Sequence, residues 1–376
     1  MLNKKNVGVV SFNIHASFTN YGSALQSWAL HKVLKKMNVN PILIDYCPKV
    51  LEDKDILNPI KNMWDKDNES RQNIEIMLPD IEKNYYKFEE FYNNQFHRTC
   101  KEYTNRNFEE VVSDEKIDGF ICGSDTIFCI DEFEGFDDGY FANYPCMKNK
   151  SVSYAASFGD AKFDSNKLRM LDDRMKNFLA LGIRENRMIN YLEDHTNIPV
   201  QRTIDPTLLL SPEEYNEIVG DNQVDKKYLL LYSRRYNDKM QEYAERIAKE
   251  NNWEIVEISI RGKHKEKGHL MRYDAGVEEF LALVKNSEYV VTNSFHGLMF
   301  AVQFEKNFTV FSRESGDSKI EEALDLFGLK KNLVKDSHGE IKVVDDYEIV
   351  HNRINKARVL SLEFLRKELD ILWSVI

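Results

Sequence analysis

The chain has 376 residues and a formal net charge of −11, with 42% hydrophobic and 30% charged residues. At roughly 100–200 residues per domain, this length predicts two domains. Such an acidic balance argues against a nucleic-acid-binding protein, which needs a basic surface. A local basic pocket could still bind an anionic small molecule, because salt screens the bulk charge within about 8 Å.

The N-terminal segment and the cysteines indicate the compartment. The apolar run at residues 7–12 is too short for the core of a signal peptide, and no stretch approaches the roughly 18 apolar residues of a transmembrane helix. The five cysteines form no CxxC pair, which favours reduced thiols. We expect a cytoplasmic protein with at most peripheral membrane contact. No histidines and cysteines have zinc-ligand spacing, so the sequence predicts no metal site.

Short apolar runs alternate with amphipathic runs, which is the pattern of βαβ units around parallel sheets. In the first half, the pattern predicts strands at residues 7–12, 41–46, 119–122, 151–157 and 179–183, and helices at about 22–37 and 85–96. Residues 50–80 are polar and predict irregular structure. The polar stretch 211–227 then marks the predicted boundary between the domains.

In the second half, the pattern predicts strands at residues 228–232, 254–260, 289–292 and 308–311, a helix that begins near residue 298, and a last helix at about 351–376. We therefore predict an α/β protein with two Rossmann-like, doubly wound domains, residues 1–215 and 226–345, and a cleft between them. Residues 346–376 are expected to pack back on the chain as a helix. Ligands of such sheets bind outside the carboxyl ends of the strands.

Two charged residues follow predicted strands. His296 opens a helix, whose free N–H groups favour anions, and an imidazole exchanges a proton near neutral pH. It is a candidate general acid or base, and the alternative is a capping or core histidine. Arg184 could hold a carboxylate or phosphate through two parallel hydrogen bonds. Its alternative is an ion pair with Glu185 or Asp205.

Two further places are candidates for substrate binding. Asn20, Tyr21 and Gly22 lie between the first strand and its helix, where a glycine lets the backbone approach a ligand closely. A plain turn is the alternative. Asp125 ends another strand and could orient a sugar hydroxyl or cap the next helix.

Six segments along the chain form a recognisable set. They are Asn20-Tyr21-Gly22 with Leu25-Gln26 and Ala29-Leu30, Gly123-Ser124-Asp125, Ser153-Tyr154-Ala155-Ala156-Ser157-Phe158-Gly159, Arg184-Glu185, Asp205-Pro206-Thr207-Leu208-Leu209, and Thr292-Asn293-Ser294-Phe295-His296-Gly297. In this order they resemble the polysaccharide pyruvyl transferase family, from about residue 7 to 330. The resemblance implies a GT-B-like fold. It also implies transfer of pyruvate from phosphoenolpyruvate onto two hydroxyls of one sugar, as a cyclic ketal.

The resemblance also implies roles. His296 matches the general acid of the family, and Arg184 matches an arginine that holds the donor. The N-terminal domain would bind a sugar or lipid-linked oligosaccharide, a precursor of a cell-surface polysaccharide. The C-terminal domain would bind phosphoenolpyruvate, and no cofactor or metal is implied. The residues expected at the acceptor are Asn20, Tyr21, Gly22 and Asp125.

The sequence departs from the family at Ser294, where members often carry arginine. A buried anionic donor needs cationic partners, so another cation should point at His296. Arg313 and Lys319 are the leading candidates and Arg234 is the reserve. The residues expected at the donor are therefore Arg184, Ser294, Gly297, Arg313 and Lys319. Two other functions fit the same fold, namely a glycosyltransferase that uses a nucleotide sugar and a sugar-binding protein without catalysis.

Overall fold

The computed structural model describes residues 4–62, 68–312 and 318–375, and its first half contains a six-stranded parallel sheet. Its strands are β1 (Asn6–Val10), β2 (Asn40–Leu43), β3 (Gly119–Cys122), β4 (Ser151–Ala156), β5 (Phe178–Ile183) and β6 (Val200–Arg202). They lie in the order β2-β1-β3-β4-β5-β6. Every residue of β3 and β4 is buried, as continuous apolar strands covered on both faces require.

Helices cover this sheet. They are α1 (Tyr21–Lys36), α2 (Asn68–Gln95), α3 (Val111–Glu115), α4 (Ser165–Met175), α5 (Asn186–His195) and α6 (Pro212–Tyr215). The expectation of irregular structure across residues 50–80 is wrong for its last part, because α2 already begins at Asn68. Its buried residues Ile74, Met77 and Ile81 recur at helical spacing, and this narrow apolar face is enough to dock a mostly polar helix.

The second half has its own six-stranded parallel sheet. The strands are β7 (Tyr228–Tyr232), β8 (Glu254–Ile258), β9 (Leu270–Met271), β10 (Tyr289–Thr292), β11 (Phe308–Phe311) and β12 (Leu333–Val334). Their order is β12-β11-β10-β7-β8-β9. The helices are α7 (Asp238–Asn251), α8 (Val277–Asn286), α9 (Phe295–Gln303), α10 (Ser318–Phe327) and α11 (Tyr347–Ser374). The predicted boundary at residues 211–227 lies between the two sheets.

The two halves share one apolar core. Buried Tyr21 and Trp28 of α1 belong to the same hydrophobic cluster as Phe280 of α8 and Phe300 of α9. The ring of Tyr21 stacks on that of Phe280 with 4.4 Å between centroids. The halves therefore meet through packed side chains, and this packing places the carboxyl ends of their strands next to each other.

The last helix, α11, begins in the second half and packs on the first. The Arg358 guanidinium donates to the Leu208 carbonyl at 2.6 Å, and the Ser361 hydroxyl accepts from the Ile204 amide at 3.1 Å. Glu368 of α11 is fully buried near the sheet of the first half, and burial raises its pKa well above the usual range. Among the helices described, none combines the length and apolar character needed to cross a membrane.

Candidate active site

His296 lies where the two halves touch. It is the second residue of α9, which begins at Phe295, three residues earlier than the sequence predicts. Its side chain is 8% exposed, and Nε2 lies 3.5 Å from Asp205 Oδ2. A β-carbon on Gly22 would lie 1.9 Å from His296 Nδ1. Glycine is therefore the residue that lets the start of α1 pack against this imidazole.

Arg184 connects two carboxylates beside His296. It directly follows β5, and its Nη1 donates to Asp205 Oδ2 at 2.7 Å. Its Nη2 lies 3.6 Å from Asp125 Oδ1. Glu185 turns the other way, since it accepts from the Ser157 hydroxyl and the Phe158 amide. The sequence allowed an ion pair of Arg184 with either Glu185 or Asp205, and the structure contains the one with Asp205. We call Asp125, Arg184, Asp205 and His296 the interdomain cluster.

The cationic members of the interdomain cluster keep its acids ionised. Burial alone would raise the pKa of Asp205, but His296 and Arg184 outweigh it and hold that pKa well below its usual range. The same holds for Asp125. Burial raises its pKa, but the nearby His296, Arg184 and Lys319 lower it by more, so the pKa of Asp125 is below its usual value. The site therefore combines two carboxylates with basic side chains that surround them.

The hydrogen bonding of the interdomain cluster is incomplete. Within the described part of the chain, Arg184 Nε, Arg184 Nη2 and His296 Nε2 are buried and have no hydrogen-bond partner. Nearly all buried polar atoms in proteins are paired, so each exception requires an explanation. Three such nitrogens in one place are suited to a ligand rich in acceptor oxygens.

A cavity of about 40 Å³ adjoins the interdomain cluster and is lined by both halves. Arg184, Arg202 and Asp205 line it from the first half, and Phe295 and Lys319 from the second. The Arg184 guanidinium lies 5.0 Å and Lys319 Nζ 5.8 Å from the centroid of the Phe295 ring. Ligand sites usually measure roughly 300–1,000 Å³, so a sugar can enter only if the halves move apart.

The candidate cations are placed differently. Lys319 lies at the cavity, on the same side as Arg184. Arg234 is exposed and reaches the first half elsewhere, where its Nη1 donates to the Thr19 carbonyl at 3.1 Å. Arg313 lies outside the described residues. The sequence overlooked Arg202, which lines the cavity and pairs with Glu322 at 3.1 Å.

Ser294 and Gly297 are engaged with the start of α9. The Ser294 hydroxyl accepts from the Gly297 amide at 3.3 Å and so caps the helix. A β-carbon on Gly297 would lie 2.4 Å from Thr292 Oγ1, which explains the glycine by close packing. Both were expected at the donor, but the structure gives each a role in building the helix that carries His296.

The four residues expected at the acceptor divide into two pairs. Asn20 caps α1 through its side chain, and the Tyr21 hydroxyl donates to the Ala275 carbonyl at 2.7 Å, so both are used internally. Gly22 and Asp125 lie at the interdomain cluster. Asp125 caps no following helix, and its Oδ2 accepts instead from the Ser23 hydroxyl of α1 at 2.9 Å.

Asp205 is the residue that sequence reasoning undervalued. From the sequence it was an ion-pair partner and a member of one family segment, yet its carboxylate lies close to both Arg184 and His296. Its other oxygen accepts from the Thr207 amide at 3.0 Å and the Thr207 hydroxyl at 2.7 Å, which fixes the carboxylate. Asp205 comes shortly after β6, a strand of three residues that the sequence pattern did not predict, so its place at a strand end became visible only in the structure.

These features define a two-domain α/β protein of the GT-B type with a charged site at the junction of its halves. Solved structures confirm this fold. S. aureus MnaA in its structure with UDP is 14% identical at a TM-score of 0.51, and the match covers 100% of this chain and 98% of that one. A UDP-N-acetylglucosamine 2-epimerase is 12% identical at a TM-score of 0.50, with the same coverage of 100% and 98%.

The chain belongs to the polysaccharide pyruvyl transferase family, whose model matches residues 20–315. This match confirms the resemblance that the six sequence segments indicated, and it identifies the chain as a member of a transferase family. The matched region contains Gly22, the whole interdomain cluster, Ser294 and Gly297. A comparison with curated proteins gave no match.

Proposed function

We propose that this protein transfers a pyruvyl group from phosphoenolpyruvate to a sugar of a cell-surface polysaccharide precursor, as a cyclic ketal. The observation that supports this most is the incomplete hydrogen bonding of Arg184, which lines a cavity together with Lys319, and of the neighbouring His296. Phosphoenolpyruvate carries a carboxylate and a phosphate, and a guanidinium binds either group through two parallel hydrogen bonds.

The proposed reaction begins with a proton from the His296 imidazolium to the methylene carbon of phosphoenolpyruvate. This step makes C2 electrophilic, and one sugar hydroxyl attacks it. The C2–O bond to phosphate breaks, and a second hydroxyl of the same sugar closes the ketal. One hydroxyl proton returns to His296 and the other leaves with inorganic phosphate, so the atoms and charges balance.

Other residues of the site would position the reactants. Asp205 holds both Arg184 and the His296 ring, so the donor and the acid keep a fixed relation. Lys319 would add positive charge against the phosphate or carboxylate. Asp125, which faces α1 at the same junction, would accept a hydrogen bond from the sugar. This scheme uses side chains alone and needs no cofactor or metal.

The test offers phosphoenolpyruvate to the purified protein together with a panel of lipid-linked oligosaccharides. We expect phosphate release and an acceptor whose mass increases by one pyruvyl ketal. His296→Ala should reduce turnover by about 10²–10⁴-fold without loss of the fold, because a general acid contributes that much. His195→Ala, at an exposed histidine, is the matched control. Near-normal turnover by His296→Ala, or consumption of nucleotide sugars instead of phosphoenolpyruvate, would contradict the proposal.

A further inference from the structure

A second buried polar cluster lies away from the interdomain cluster, in the sheet of the second half. Glu257 belongs to β8, His264 to the short turn Gly262–Lys267, and His269 directly precedes β9. Their side chains are 1%, 9% and 3% exposed, respectively. We call these three residues the β8 cluster.

The β8 cluster directs two imidazoles at one carboxylate. His264 Nδ1 lies 2.9 Å from each Glu257 oxygen, and His269 Nδ1 lies 2.6 Å from Oε2. One ligand atom from each residue lies within 4.8 Å of the other two. Two imidazole nitrogens and a carboxylate oxygen are a donor set that binds Zn²⁺ and related divalent transition metals.

The charge at Glu257 favours a cation at this position. The Glu257 carboxylate is buried, and its side-chain hydrogen-bond partners are the two imidazoles and the Ser259 hydroxyl, which donates to Oε1. In the described ranges 4–62, 68–312 and 318–375, no lysine or arginine pairs with it. A buried carboxylate requires a positive partner, and a divalent ion would provide one while leaving the imidazoles neutral.

The outer face of His269 has the arrangement expected around a metal ligand. Its Nε2 lies 3.5 Å from Glu245 Oε1, and the Gln241 amide donates to that same oxygen at 2.6 Å. Imidazoles that bind metals through one nitrogen usually donate the other N–H to a carboxylate, which fixes the tautomer and the ring. Glu245 is therefore placed to keep Nδ1 of His269 directed at Glu257.

We propose that Glu257, His264 and His269 bind one divalent transition metal ion, with Zn²⁺ the best match to the donor set. Zn–N distances of about 2.0–2.1 Å place tetrahedral ligand atoms about 3.3 Å apart, so each imidazole nitrogen needs to move from Glu257 by only about half an ångström. Their burial indicates a structural ion. This proposal differs from the expectation of no metal, which rested on sequence spacing, whereas the three ligands meet only in the folded chain.

Such an ion would stabilise a contact between the halves. The turn that carries His264 docks on α2, where the Lys263 amide donates to Asn73 Oδ1 at 3.0 Å. A β-carbon on Gly262 would lie 2.7 Å from the Ile76 side chain, so the two segments pack closely. By holding the ends of this turn to β8, the ion would fix the surface that α2 meets.

One other group of possible metal ligands lies in the first half. His15, Cys47 and Glu102 also bring ligand atoms within 4.8 Å of one another. There, however, His15 Nε2 already bonds Asp45 Oδ1 at 2.6 Å, and Arg98 pairs with the same carboxylate. That group is balanced without a metal, so Cys47 serves as a control.

The test titrates Zn²⁺ into the chelator-treated full-length protein by isothermal titration calorimetry, and records absorption after Co²⁺ addition. We expect one equivalent per chain and the visible bands of a low-coordinate Co²⁺ site. His264→Gln and His269→Gln should each weaken binding by about 100-fold or more, since even outer partners of a metal contribute about 10–100-fold. His195→Gln, at an exposed histidine, and Cys47→Ser should bind as the wild type does.

Several outcomes would overturn the site. They are the absence of stoichiometric Zn²⁺ or Co²⁺ binding to the wild type, binding that survives both glutamine variants, and binding lost in Cys47→Ser. The wild-type titration decides the matter even if a variant does not fold. As a second measurement, Zn²⁺ should raise the Tm of the wild type but not of Glu257→Gln. Neither readout depends on pyruvyl transfer, so the two proposals fail independently.

Discussion

Tyr21 and Gly22 are adjacent at the start of α1 and both face the second half, but their surroundings differ. The Tyr21 hydroxyl donates to the Ala275 carbonyl and accepts from the Asn84 amide, at 2.7 and 3.1 Å, while its ring stacks on Phe280. Gly22 instead packs on His296, near buried nitrogens of Arg184 and His296 that stand opposite carboxylates but lack a hydrogen-bond partner. The hydrogen bonds of Tyr21 are complete within the protein, whereas those beside Gly22 are not.

The difference has a physical basis. An aromatic ring with a satisfied hydroxyl stabilises an interface at little cost. Buried polar groups such as those of Arg184 and His296 are costly when their hydrogen bonds are incomplete, and such groups persist in proteins mainly where function needs them. One turn of helix thus carries both the attachment between the halves and one wall of the site.

Among substitutions that leave the interdomain cluster itself unchanged, the largest effect should come from Gly22→Ala. The new methyl group would lie 1.9 Å from His296 Nδ1 and 2.2 Å from its Cγ, so the ring or the whole interface must shift. A displacement of about 1 Å at a reacting group can cost on the order of 10²-fold. We therefore expect kcat/KM, measured by phosphate release from phosphoenolpyruvate, to fall by about 100-fold.

Gly339→Ala is the matched control, since a β-carbon there meets nothing within 4 Å. It should retain wild-type kinetics and a wild-type Tm. If Gly22→Ala turns over at the wild-type rate, then His296 does not need its present position, and the contrast with Tyr21 disappears.

A smaller effect is expected for Lys319→Met, which tests how the donor is held. Lys319 lines the cavity beside Phe295 and Arg184, and removal of its charge should weaken binding of an anion. We expect the KM for phosphoenolpyruvate to rise about tenfold, equivalent to about 1.4 kcal/mol, with kcat changed little. The measurement is steady-state kinetics with each substrate varied in turn.

Lys330→Met is the control for the lost charge, because Lys330 is 67% exposed and pairs only with Asp325 among the described residues. A change in the KM of the acceptor, with that of phosphoenolpyruvate unchanged, would move Lys319 to the acceptor side. An unchanged KM for both substrates would remove it from the site.

The sequence predicted central elements better than those at the edges. β7, β10 and β11 have the predicted bounds, because a buried parallel strand is an uninterrupted apolar run. The short edge strands β9 and β12 have two residues each and were not predicted, since two residues carry no periodicity. Such short strands form because a neighbouring strand provides their hydrogen-bond partners, and the local sequence pattern does not contain that information.

The same limit applied to the candidate site. Arg184 and His296 were predicted because each follows a recognisable strand. The hydrogen-bond partner of Tyr21 could not be predicted in this way. Its hydroxyl donates to the Ala275 carbonyl, which lies 254 residues further along the chain. The β8 cluster was overlooked for a related reason: His264 and His269 have a spacing seen among zinc ligands, but Glu257 joins them only through the fold of β8 and β9.

The smallest effect on activity is expected for Tyr21→Phe. The substitution keeps the ring on Phe280 and removes the hydroxyl, while the Ala275 carbonyl keeps its second donor, the Asn84 amide. The free energy of unfolding, measured in urea, should fall by about 1 kcal/mol, the usual net value of one hydrogen bond. Tyr86→Phe, at a residue that is 57% exposed, should leave it unchanged.

The kinetics of Tyr21→Phe decide between the two interpretations of this residue. If Tyr21 only attaches the halves, kcat/KM should remain within about twofold of the wild type, since His296 and Arg184 keep their contacts. If its hydroxyl binds the acceptor, as the sequence predicted, the KM for the sugar should rise about tenfold or more, because a lost hydrogen bond to a substrate costs about 1–3 kcal/mol. A raised KM with unchanged stability would place Tyr21 in the site beside Gly22. The difference between the surroundings of Tyr21 and those of Gly22 would then disappear.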